Sequence, residues 1–126
     1  MKILIVDDER DVEPLFRLRF RREIARGEIE LLFAFSGEAA LDKLHEHGRT
    51  DVVLVLSDIN MPGMTGLELL RRIKEEPPPV PVCMMTAYDN DEYRGKADDL
   101  SCDGYISKPI DFAALKEKIE QFAAST

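Results

Sequence analysis

Cysteine is scarce. Only Cys83 and Cys102 occur in 126 residues, and their positions form neither a CxxC nor a zinc-ligand pattern. The fold therefore has to stand without a disulfide framework or a structural metal. A chain of this length manages that, since it buries roughly two-thirds of the surface its unfolded form exposes. Two buried, reduced thiols are the preferred reading, with a bridge between them as the alternative. Long apolar runs are missing as well. No stretch approaches the roughly 20 residues that cross a bilayer. The opening run Met1 to Val6 meets Asp7 and Asp8 at once, too short for a signal peptide and with no small-residue cleavage site. Positive charge is the third shortage: 17 Lys and Arg face 25 Asp and Glu, a net charge of −8. That balance disfavours nonspecific binding to nucleic acid or anionic lipid. What remains, 44% apolar and 33% charged, describes an ordinary globular protein rather than a disordered chain. A single cytosolic domain over residues 1–126 is expected.

Short aliphatic runs alternate with amphipathic stretches. Lys2 to Asp7 reads as a strand buried on both faces. Val12, Phe16, Phe20 and Ile24 recur every four residues, which predicts a helix over 9–25 stopped by Gly27. A second strand is expected over 28–35, with Leu32 and Ala34 facing away from Leu31 and Phe33. Ser36 is the expected N-cap of a second helix that Gly48 ends. Val52 to Ser57 is a third strand, terminated by Asp58, and a helix follows over about 67–76. Prolines 77–79 and Pro81 break it before a fourth strand at 80–85. A thin apolar face of Tyr93, Ala97 and Leu100 predicts a fourth helix, weakened by Gly95 by roughly 1 kcal/mol relative to Ala. Gly104 to Ser107 is a short fifth strand. Asp111 caps a last helix with Phe112, Leu115, Ile119 and Phe122 on one face. Strand–helix–strand repetition implies an α/β fold, a doubly wound five-stranded parallel sheet flanked by five helices.

In such a sheet, ligands bind at the carboxyl ends of the strands. Asp7 and Asp8 end the first strand, Asp58 the third and Thr86 the fourth, while Lys108 follows the fifth. Taken alone, an acidic doublet after a strand is more often a solvated loop or cap, and a Lys-Pro dipeptide is only a turn. Their joint position on one rim shifts the balance. Three clustered carboxylates cannot all stay ionised without compensation, and a hard divalent cation such as Mg²⁺ supplies it. Phosphoryl transfer uses such an ion, and a carboxylate can serve as its nucleophile. A lysine and a threonine hydroxyl would bind the remaining phosphoryl oxygens.

Four blocks carry a resemblance: Val6-Asp7-Asp8-Glu9, Ser57-Asp58-Ile59-Asn60-Met61-Pro62-Gly63-Met64-Thr65-Gly66, Met85-Thr86-Ala87-Tyr88 and Tyr105-Ile106-Ser107-Lys108-Pro109. In this order they resemble the marker blocks of the response-regulator receiver domain, and the likeness spans residues 2–122. The resemblance implies a flavodoxin-like sheet of order 2-1-3-4-5. It implies that Asp58 accepts phosphate from the phosphohistidine of a sensor histidine kinase or phosphotransfer protein. Asp8, Asp58 and the backbone carbonyl of Asn60 would ligate Mg²⁺, with Asp7 acting through a water. Lys108 would contact the phosphoryl group, and its bond to Pro109 is expected to be cis. Thr86 and Tyr105 would form the switch. The fourth helix, fifth strand and fifth helix would face an output domain, a downstream target or a second copy of the chain. Direct contact with nucleic acid or membrane is not expected of this domain, nor is turnover of a diffusible metabolite.

Weaker signals remain beside these. Leu100-Ser101-Cys102-Asp103 departs from the Ala-Gly-Ala-type sequence of many receivers, which bears on the turn before the fifth strand. Tyr88 is either a partial shield of the acyl phosphate or merely exposed. The acidic run Asp89, Asp91, Glu92, Asp98 and Asp99 points to low local stability in the fourth helix. Arg17, Arg19, Arg21, Arg22 and Arg26 crowd the first helix, either solvated or docking an acidic partner. His45 and His47 do not face together, so they are read as complementing a helix carboxyl end rather than as metal ligands. Three rivals stand against the receiver reading. A flavin-binding flavodoxin relative would need a phosphate-cradling loop where Asp7-Asp8-Glu9-Arg10 stands. The others are a phosphorylation-independent interaction module and a Mg²⁺-dependent phosphatase, the latter lacking an evident acid–base residue or lid.

Overall fold

Each aliphatic run becomes a strand: β1 (Lys2–Val6), β2 (Glu30–Ala34), β3 (Val52–Asp58), β4 (Val82–Thr86) and β5 (Gly104–Ser107). They form one parallel sheet of order β2-β1-β3-β4-β5, as expected. The structure, a computed structural model, describes residues 1–86 and 102–124. The helices among the described residues are α1 (Val12–Arg19), α2 (Arg21–Ala25), α3 (Gly37–His47), α4 (Gly66–Glu75) and α5 (Phe112–Ala124). The predicted helix through Tyr93, Ala97 and Leu100, with its acidic run, lies outside the described residues, as does Tyr88. No helix among those described is long and apolar enough to cross a membrane.

Alternation along the strands divides the core. Leu4, Val6, Leu32, Ala34, Val55 and Met84 pack with Ala40 and Leu44 of α3 and Leu69, Leu70 and Ile73 of α4. Ile3, Ile5, Leu31, Phe33, Leu54, Leu56 and Met85 pack on the other face with Phe16, Phe20, Leu115 and Ile119. Leu32 and Ala34 thus do face away from Leu31 and Phe33. Phe16 is fully buried, with Phe20 stacked at 6.0 Å and Phe112 edge-on at 5.2 Å. Burying one such ring contributes about 1.5–3 kcal/mol.

The caps explain where elements stop. Ser36 accepts from the Ala39 N–H at 3.1 Å, Thr65 from Glu68 at 3.2 Å and Asp111 from Ala114 at 3.2 Å. Gly48 ends α3 at φ +87°, a conformation other residues reach only with strain. His45 and His47 stand in that last turn. Arg49 follows and donates to the carbonyls of Ile73, Glu76 (2.7 Å) and Pro78 (3.1 Å), satisfying the open end of α4.

Several boundaries differ from expectation. The first helix starts at Val12 rather than at residue 9, because the Glu9 N–H donates to the Asp7 carboxylate at 3.0 Å and a turn precedes the helix. It also divides at Phe20, whose φ of −105° and ψ of 13° are not helical, although its N–H still reaches the Phe16 carbonyl. Strand β4 begins at Val82 rather than at residue 80, since Pro81 has no N–H to offer a ladder. Neither Cys83 nor Cys102 is in a disulfide. Cys83 is buried, which pushes its thiol up to about 12, whereas Cys102 is only half-buried, beyond the end of the ladder.

Candidate functional site

Parallel pairing brings the five strand ends level. Val6 stands opposite Ala34 and Ser57, Asp58 opposite Met85, and Thr86 opposite Ser107. The chain continues from these ends into Asp7-Asp8, the loop after Asp58, and Lys108. The Asp7 N–H donates to the Ala34 carbonyl and the Lys108 N–H to that of Thr86, at 3.1 and 2.7 Å, so both residues are fixed by backbone just past the strands. Asp7, Asp8 and Asp58 each present an oxygen within 4.8 Å of the other two. Lys108 Nζ lies 3.0 Å from Asp7 Oδ2 and 3.5 Å from Asp58 Oδ2. Thr86 is buried at the same edge. The rim inferred from sequence is thus assembled in three dimensions.

Burial makes the electrostatics strong. Asp7 is 2% exposed. Burial, reinforced by the Asp7 charge, raises the Asp58 carboxyl above its ordinary value despite the opposing Lys108 ammonium. Burial works against the Lys108 charge too, but its hydrogen bond to Asp7 and the nearby Asp58 outweigh that and raise it. Three carboxylates face one ammonium, which leaves about two negative charges uncompensated. The donors are all oxygens, the kind Mg²⁺ prefers. The site thus fits a hard divalent cation in charge and in donor type.

Asn60 is exposed, between buried Ile59 and Met61. Tyr105 is half-buried against the α3–α4 side of the core. The Lys108–Pro109 peptide bond is cis. Ser57, fully buried, donates to the Asp58 carbonyl at 3.0 Å. A residue without an assigned role is Gly66. A Cβ there would stand 2.0 Å from the Asp58 carbonyl oxygen and 2.8 Å from Ile59 Cα, while its N–H donates to the Ile59 carbonyl at 2.8 Å. Any side chain at 66 would push the acidic residue's own backbone. The signal available in sequence was a glycine at the first helical position, where alanine would favour the helix more.

The basic residues of the first helical stretch separate. Arg17 pairs with Glu13 at 2.9 Å and lies over the Phe33 ring. Arg19, Arg21 and Arg22 gather with Lys116 and exposed Leu18 around a groove of about 420 Å³.

Comparison with known proteins identifies the family of the chain. The family model described as the response regulator receiver domain matches residues 3–120. The chain belongs to the response regulator receiver domain family. Among its relatives, the chemotaxis protein CheY of Pseudomonas aeruginosa is 37% identical over 123 residues, 96% of this chain and 94% of that protein. The response regulator protein FleR of the same organism is 34% identical over 97% of this chain but only 24% of its own length. Among solved structures, the receiver domain of NtrX from Brucella abortus superposes with a TM-score of 0.83 at 29% identity, covering 98% of this chain and 99% of that one. Receiver domains are signalling domains of two-component systems rather than converters of metabolites; they bind Mg²⁺ at an acidic cluster, and this chain brings Asp7, Asp8 and Asp58 together. Two-component membership implies a histidine kinase as partner.

Proposed function

We propose that this receiver domain is a phosphorylation-dependent switch in which Asp58 is the phosphoacceptor. The observation that carries the proposal is the position of Asp58: its carboxylate lies within 4.8 Å of Asp7 and Asp8 and 3.5 Å from the Lys108 ammonium. An Asp58 oxygen attacks the phosphorus of a phosphohistidine. An O–P bond forms, the P–N bond breaks, and the imidazole leaves with the electron pair of that bond. Loss of the signal reverses the modification: water attacks phosphorus, the O–P bond breaks and inorganic phosphate leaves.

Asp8, Asp58 and the Asn60 carbonyl are the proposed Mg²⁺ ligands, with Asp7 acting through a water. When bound, the ion supplies charge neutralisation for the phosphoryl oxygens. Lys108 contributes a positive charge beside Asp58, already oriented by its hydrogen bond to buried Asp7. Thr86, at the end of β4, is the proposed donor to a phosphoryl oxygen. Tyr105, on the adjacent strand, responds with it. The relay runs to the face that includes β5 and α5, where an output domain, a target protein or a second copy would bind. The basic groove of Arg19, Arg21, Arg22 and Lys116 is the proposed docking surface for the acidic partner that delivers phosphate. Residues 1–126 form one cytoplasmic domain in this reading.

Incubation with acetyl phosphate and Mg²⁺, read by intact mass, tests it. Wild type gains one phosphoryl group, and Asp58→Asn or chelation of Mg²⁺ abolishes the gain. A wild type that never gains the group would make the chain a phosphorylation-independent module.

A further inference from the structure

The loop between Asp58 and α4 has an alternating burial pattern. Ile59, Met61 and Met64 are buried at 2, 6 and 7% exposure, whereas Asn60, Pro62 and Gly63 are exposed. The three buried side chains join the same core cluster as Ala40, Leu69 and Leu70. The loop that carries Asn60 is thus anchored on both sides of that residue, and its far anchor is Met64. Met64 sits where α3 begins. A Cβ on Gly37, the first residue of that helix, would come within 2.5 Å of Met64 Sδ, 2.8 Å of its Cγ and 2.9 Å of its Cβ. Moving the flexible end of Met64 would relieve the first contact. The last involves an atom fixed to the backbone, so the loop itself would have to shift. The Ser36 cap on Ala39 holds the α3 terminus in place.

We infer that Gly37 is a positioning residue for the metal site: its missing side chain forms the seat into which Met64 locks the Asn60 loop. The inference rests on the Mg²⁺ reading proposed above and adds to it a residue 21 positions before Asp58 in the chain. Gly37 touches no reacting group and acts only through Met64. A preformed loop spares the ion the cost of ordering one of its ligands, as supporting residues around metal sites commonly do.

The test is calorimetric titration with MgCl₂ of the wild type, Gly37→Ala, Met64→Ala, Met64→Leu and the Gly37→Ala/Met64→Ala pair. Each is measured well below its own unfolding midpoint. Gly37→Ala and Met64→Ala should each weaken Mg²⁺ about tenfold, while Met64→Leu, of similar volume, stays within about twofold. The double variant should bind no more weakly than Met64→Ala alone, because both changes act on one contact. If Gly37→Ala does not fold, the contrast between Met64→Ala and Met64→Leu carries the test. Folded Gly37→Ala or Met64→Ala with wild-type affinity would overturn the inference, as would losses that multiply in the double variant. Absence of saturable Mg²⁺ binding in the wild type would instead overturn the underlying site.

Discussion

Replacing Asp58 by Asn should make the metal-free protein more stable, although it destroys the acceptor. Asp58 and Asp7 present oxygens within 4.8 Å, a repulsion of about 3.5 kcal/mol at an effective dielectric near 20. Exposed Asp8, at the same range, adds a smaller, solvent-screened share. Against this stands the attraction to Lys108 at 3.5 Å, about 5 kcal/mol on the same scale. Asparagine loses both and also avoids the cost of burying a charge, which is the leading cause of the raised Asp58 carboxyl. The Asp7 and Lys108 terms alone leave the wild type ahead by about 1.5 kcal/mol, and a desolvation cost on the order of 3 kcal/mol for the buried charge turns the balance to the variant by about 1–2 kcal/mol. Urea unfolding at neutral pH in EDTA measures it. The pH dependence follows in sign. A carboxyl whose folded value is raised destabilises fully above that value, and the penalty disappears as pH falls through it towards the unfolded value of 3.8. The gain from Asp58→Asn should therefore shrink in acid. Saturating Mg²⁺ should stabilise the wild type more than the variant. A variant less stable than wild type in EDTA at neutral pH would refute the claim that uncompensated negative charge dominates this pocket.

Lys108→Ala should cost about 3 kcal/mol in EDTA, because it strands the Asp7 carboxylate in a buried position; added Mg²⁺ should recover part of it, read as a rise in the unfolding midpoint. Arg49→Met should cost about 2 kcal/mol by urea unfolding, since it removes charge-assisted hydrogen bonds to three carbonyls while water reaches two of them. Glu23, held below its ordinary value by its hydrogen bond from Lys116, stabilises the protein above its unfolded value near 4.5, and the contribution is lost as pH falls through the folded value. Lys116→Met should therefore cost under about 1 kcal/mol at pH 7, because the pair is partly solvated, and nothing in strong acid; a loss that stays constant across that range would contradict the assignment.

Periodicity made the sheet legible. Runs such as Val52 to Ser57 have no polar face and belong to central parallel strands, and the residues that end such runs must gather on one rim. That reasoning brought Asp7, Asp8, Asp58, Thr86 and Lys108 to one edge. It did not reach Gly66 or the Gly37–Met64 seat. Both depend on what a missing Cβ would strike across space, and a sequence reports the glycine but not its neighbour. Arg49 escaped for a related reason: its acceptors lie 24 to 29 residues away, at a helix end whose open carbonyls only the fold brings near. The division at Phe20 was hidden because residues 16, 20 and 24 keep a four-residue spacing through it. The basic helix separated into an internally paired Arg17 and a grouped Arg19, Arg21 and Arg22 only once α5 had placed Lys116 beside them.

Mapping the acceptor tests the central claim most directly. Borohydride reduces an aspartyl phosphate to homoserine, so protein treated with acetyl phosphate and Mg²⁺, then reduced and digested, reveals its modified residue by peptide mass spectrometry. The account predicts homoserine at position 58 alone, and none when Mg²⁺ is withheld. Homoserine at position 7 or 8 instead, or equal labelling in EDTA, would contradict it.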